Sequence, residues 1–309
     1  MNTQSNPMAE SFASPVAAPS SPLLTRPFYW SVRRELWENR SIYLAPLGVA
    51  GVFLIGFLVS AMHFPGMHTL SVIDPAQKRE VIAMPYDIVA GMMMLTIILV
   101  NVFYCADALY GERRDRSILF WKSLPVSDLT TVLAKATIPL VIVPLVACAI
   151  AVAVQWIMLL LSSAVLLARG SSVSALWTQL SFFQMSLLLL YHIMTAHALW
   201  PAPVYCWLLL VSGWARRATL LWAALPVVAI AGLEAILFHT THFAALVGTR
   251  LIGASPERGS TSPDIFPTNP MTHLHPGNFF SEPGLWMGLA LCAIFLAGAV
   301  RLRRQSGPV

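Results

Sequence analysis

The sequence predicts an all-α membrane protein, a six-transmembrane-helix bundle with both termini on the cytoplasmic side. Three observations carry that fold class. Charged residues make up only 11% of the 309 residues, against about 25% in soluble domains, and the mean hydropathy is +0.69. So few charges cannot wet the surface of a 33.8 kDa globule, so lipid must solvate much of it. Six apolar runs approach or exceed the roughly 20 residues that a helix needs to cross the hydrocarbon core. Threading those runs in order puts Arg26, Arg33, Arg34, Arg40, Arg113, Arg114, Arg116, Lys122, Lys135, Arg216, Arg217, Arg301, Arg303 and Arg304 on one face. Only Lys78, Arg79, Arg169, Arg250 and Arg258 fall on the other, and the basic-rich face is the cytoplasmic one.

The elements follow in order. Residues 1–26, rich in Ser, Pro and Ala and without an apolar signal core, read as a flexible cytoplasmic tail. The remainder, 27–309, holds everything else. Residues 28–40 place aromatics on one side and charges on another, the pattern of an amphipathic helix lying in the membrane interface. Spans are expected at about 42–62, 88–109, 138–161, 180–211, 220–238 and 285–300. Ser127 is a good N-cap ahead of the third, and Pro139 and Pro144 are placed to kink it. The fourth run is long for one span and short for two, with Pro201 and Pro203 inside it. Splitting it would export Arg216, Arg217 and the Arg301–Arg304 tail, so one long or broken helix is the expectation. Residues 240–284 form the largest loop on the far side, with a short interfacial helix expected around Phe243 to Ile252.

The net charge of +5 does not point to nucleic acid, because the basic residues sit at the ends of apolar runs, where they set topology and meet anionic lipid. All four cysteines lie within apolar runs and read as small apolar fillers rather than a disulfide framework. No Gly-x4-Gly-Lys-Ser/Thr loop is present to cradle a nucleotide. No cofactor, metal site or enzymatic activity is expected.

The connection between the second and third spans is the most informative polar segment. It is charged first (Asp107, Glu112, Arg113, Arg114, Asp115), then apolar and aromatic (Ile118, Leu119, Phe120, Trp121), then stopped by Pro125. A short helix of this pattern can press an aromatic face on a partner while its charges stay wet; an ordinary basic loop end that fixes topology has the same composition. Gly111-Glu-Arg-Arg-Asp-Arg-Ser117, followed by Trp121-Lys-Ser-Leu-Pro-Val-Ser-Asp128 and Lys135, resembles the intracellular loop of type-2 ATP-binding-cassette (ABC) exporter permeases. The stretch Ala198 to Tyr205, with Leu208 to Trp214 and Arg216-Arg217, resembles the fourth span of bacterial members. The loop from Thr240 to Gly284 carries no signature of that family. The resemblance implies a multi-pass inner-membrane permease that dimerises, as a homodimer or with a second permease, and is driven by a cytoplasmic ABC ATPase subunit. It assigns Glu112, Arg113, Arg114, Asp115, Ser117, Trp121 and Pro125 to an ATPase-coupling loop containing a coupling helix, and puts dimer contacts on the first and fifth spans.

Ionisable groups within spans are costly and often functional. Glu234, read as lying near the middle of the fifth span, leads this class, with His239 one turn on and His192 and His197 as candidate partners. It suits cationic cargo, proton relay or a structural polar contact. Asp107 is expected to pair with Arg113 or Arg114, and Gln155 and Gln184 to hydrogen-bond between helices. Two other functions fit the same residues: a proton-coupled secondary transporter working through Glu234, and a non-transporting membrane scaffold.

Overall fold

The computed structural model describes residues 25–62, 75–123, 126–168, 170, 173–174, 177, 182–252 and 276–305. These are helical with no strand among them, and six helices are long and apolar enough to cross a membrane. An all-α bundle of this kind is compatible with a multi-pass membrane protein. The expected tail (1–26), Pro125 and most of the 240–284 loop lie wholly or largely outside the described residues.

Helix α1 (Thr25–Glu38) precedes α2 (Ser41–Met62), and α3 (Pro75–Asp107) returns. Its first turns extend the second span well ahead of the expected residue 88. Short helices α4 (Tyr110–Arg114) and α5 (Ser117–Ser123) follow, joined at Arg116, whose backbone is left-handed (φ 57°). Helix α6 (Asp128–Ala168) starts on the expected cap, the Ser127 side chain accepting from the Thr130 N–H at 3.1 Å.

The fourth run is broken into two helices. Helix α7 (Phe182–Leu199) meets α8 (Ala202–Trp214) at Trp200 and Pro201. Then come α9 (Thr219–Phe238), α10 (His242–Ile252), α11 (Pro276–Ser281) and α12 (Pro283–Gln305). Contacts across the chain fix a common polarity. Arg303 near the end of α12 meets Glu112 of α4, and Arg113 reaches the carbonyl of Ser212 near the end of α8. The ends of α3, α8 and α12 and the starts of α2, α6 and α9 therefore share one end of the bundle, called here the charged end.

Proline positions explain two wide turns inside the spans. Pro144 cannot donate, and the Val143 N–H bonds back to the Ile138 carbonyl, making a π-helical turn over Ile138–Ile142. The Pro139 carbonyl left over accepts from Asn101 Nδ2 of α3 at 3.1 Å. Pro201 likewise leaves the His197 carbonyl without its helical donor, and the Tyr205 hydroxyl donates to it at 3.3 Å. In lipid every such carbonyl needs an internal donor, so Asn101 and Tyr205 make the two kinked spans tolerable. Gln155 makes its expected inter-helix bond, donating from Nε2 to the Tyr86 carbonyl at 3.3 Å.

The core lies between α3, α6 and α8, around Met93, Ile97, Ile138, Ala151, Met158, Tyr205 and Leu209. Helix α12 packs alongside α8, where Gly213 faces Leu302 and Gly298 faces Leu210. The four cysteines are buried and free. Helix α9 is held only lightly, with Leu221, Val228 and Ile236 exposed. That row is a liability in water and ordinary against lipid or another transmembrane helix.

Candidate functional site

The segment following α3 folds against the charged end rather than away from it. Glu112 projects from α4 into a pocket of cations supplied by three distant elements. Its Oε1 meets Arg34 Nη2 at 2.7 Å and Lys135 Nζ at 3.2 Å, and its Oε2 meets Arg303 Nη1. A second carboxylate, Glu35 of α1, takes Lys135 and Arg34 at 2.8 Å each. Glu35 also accepts from the Tyr104 hydroxyl of α3 at 2.9 Å. Arg303 turns its Nε to Asp128 at the start of α6, at 3.1 Å. Three cations and three carboxylates thus join α1, α4, α6 and α12.

The balance is what makes this burial tolerable. Glu35 and Lys135 are only 2% and 3% exposed, and an isolated ion there would lose several kcal/mol of hydration. Each ion has an opposite partner in hydrogen-bonding geometry, so none is left alone. Burial works against the charge of Arg34, but the neighbouring Glu35, Glu112 and Glu38 carboxylates outweigh it and hold the guanidinium above its ordinary range. The flat side of Arg34 covers the Trp121 ring at 3.8 Å, tying α5 to the same cluster.

This overturns one expectation for the segment. Its charges do not all stay wet: Glu112 and Arg113 are buried, because the short α4 tucks under the ends of α8 and α12. Arg113 donates to the carbonyls of Ser212 and Ala215, which end α8 and have no helical donor. Arg114 and Asp115 are exposed and pair with each other at 2.9 Å. Asp107 pairs with Arg114 at 3.7 Å, and Arg113 is engaged elsewhere. Ser117 Oγ bonds the Glu112 carbonyl at 3.4 Å. On α5, Ile118 is buried, Trp121 is half-buried, and Leu119 and Phe120 stand 59% and 60% exposed.

The intramembrane candidates do not converge. Glu234 lies one turn from the end of α9, not at its middle, and none of its described hydrogen bonds goes to His192 or His197. It accepts from Thr240 Oγ1 at 2.8 Å and from the backbone N–H groups of His242 and Phe243 at 2.9 and 2.8 Å. The side chain therefore caps α10, and His239, left-handed at φ 52°, makes the corner between the two helices. Glu234→Ala removes the acceptor of these two N–H groups and is expected to fray the start of α10, read as faster hydrogen exchange confined to residues 240–245. His192 and His197 face each other with ring centroids 5.8 Å apart on α7.

Sequence reasoning did not assign Arg34, Glu35, Tyr104, Asp128 or Arg303 to this cluster. Glu35 looked like one more charge on the wet side of an amphipathic helix. Its partners lie 69 and 100 positions away, so no local spacing could expose the pairing. Compared with known proteins, the chain matches no family model, no curated protein and no solved structure.

Proposed function

We propose that this chain is the permease subunit of an ABC exporter in a bacterial inner membrane, working as a homodimer or paired with a second permease. The charged end then faces the cytoplasm, with both termini on that side, and a separate ATPase subunit docks there. The observation that carries this reading is the contrast within α5. Leu119 and Phe120 are bared at the tip of a short helix, while Trp121 beside them is covered by an arginine of the buried ion cluster. Force applied to that apolar tip passes through Arg34 and Glu112 to α1, α6 and α12 together. The nucleotide chemistry stays on the partner, since this sequence has no phosphate-cradling loop.

Co-purification tests the reading. Wild-type chain is expected to bring down an ATPase subunit, and Leu119→Glu with Phe120→Glu to lose it while remaining monodisperse. Two exposed side chains are changed, so folding should hold. An ATPase that stays bound to the double variant removes α5 as the docking element. Failure to recover any ATPase removes the exporter assignment.

A further inference from the structure

We propose that Arg33, held between Trp30 and Trp37, binds the phosphate of an anionic phospholipid headgroup. Helix α1 has two unlike sides. One carries Arg34 and Glu35 into the ion cluster. The other presents Tyr29, Trp30 and Trp37, all more than half exposed. Residues 30, 33 and 37 recur at helical spacing and share that outer face. The Arg33 guanidinium lies 5.1 Å from the Trp30 ring and 4.7 Å from the Trp37 ring, which fix its position without neutralising it.

The chemistry of this face is one-sided. Among the described residues no carboxylate pairs with Arg33, whereas its neighbour Arg34 pairs with Glu35, Glu38 and Glu112. Guanidinium and indole N–H groups are donors only, so the face calls for an anionic acceptor. Its place in the chain selects a lipid. Helix α2 begins at Ser41, and its Leu44, Leu47, Val52 and Ile55 are exposed. The aromatic pair therefore sits where the apolar surface starts, at headgroup level, where tryptophan concentrates. An anionic leaflet adds attraction that a zwitterionic one lacks. The inference rests on the membrane reading of the bundle and is independent of any ATPase.

Native mass spectrometry of the purified full chain, with any subunit that accompanies it, tests the site by titration with phosphatidylglycerol or phosphatidylcholine. Wild type is expected to retain phosphatidylglycerol preferentially, and Arg33→Gln to lose about tenfold in apparent affinity for it. Phosphatidylcholine retention should not change. Arg301→Gln removes an equal charge from the same end and should leave the preference intact. Equal retention by wild type and Arg33→Gln overturns the site, as does an equal loss in Arg301→Gln. Should Arg33→Gln not remain monodisperse, a benzophenone side chain replacing Tyr29 decides: labelling of phospholipid in anionic vesicles supports the proposal, and labelling of protein overturns it.

Discussion

Glu112→Gln is expected to be the most damaging single substitution at the charged end. It keeps the shape of the side chain and removes the one carboxylate that, among the described residues, touches Arg34, Lys135 and Arg303 together. Breaking a buried ion pair from one side costs about 3–5 kcal/mol, because the abandoned charge stays buried. A domain's whole stability is often only about 5–15 kcal/mol. The purified variant should therefore lose its monodisperse peak at a markedly lower temperature than wild type in size-exclusion after heating. A second change identifies the cause. Arg303→Met in the Glu112→Gln background removes a cation that has lost a partner, so the double variant should be more stable than the sum of the two single losses. Strictly additive losses would mean that the two side chains do not interact.

The second large effect is expected at Arg113. Its guanidinium serves the Ser212 and Ala215 carbonyls, both at a helix end and buried. Arg113→Ala leaves two carbonyls short of a donor at about 1–3 kcal/mol each, and removes a cation from the favourable end of the α8 dipole. A loss of about 2–6 kcal/mol follows. Hydrogen exchange should rise first in residues 209–215 and only later in α3. Arg113→Lys keeps the charge but not the fork, and should recover only part of the loss. Protection of residues 209–215 equal to wild type in Arg113→Ala would show that these bonds do not hold α8 in place.

How much of this was legible in the chain depends on the range of the interaction. The six long apolar helices were readable because length and apolarity are properties of one segment, and the Ser127 cap because its bond closes within three residues. The wide turns at Pro144 and Pro201 were foreseeable from missing donors; the Pro139 carbonyl as acceptor of the Asn101 amide was not. Glu234 misled the reading because an acidic residue in an apolar run looks the same whether it faces cargo or caps the next helix. Only the corner at His239, which turns α10 back toward it, distinguishes the two. In the segment after α3, Arg114 and Asp115 are exposed as expected. Glu112 and Arg113 are not, since their burial depends on where α6, α8 and α12 end.

The ion cluster also bears on biogenesis. Arg303 and Glu112 are 191 positions apart, so a ribosome has made most of the bundle before the final cation of the set exists. Until α12 inserts, Asp128 and one oxygen of Glu112 lack the guanidinium that joins them. A nascent chain stalled ahead of that helix would carry an unfinished polar seam at its charged end, with Glu112 and Asp128 still short of the cation that completes the set.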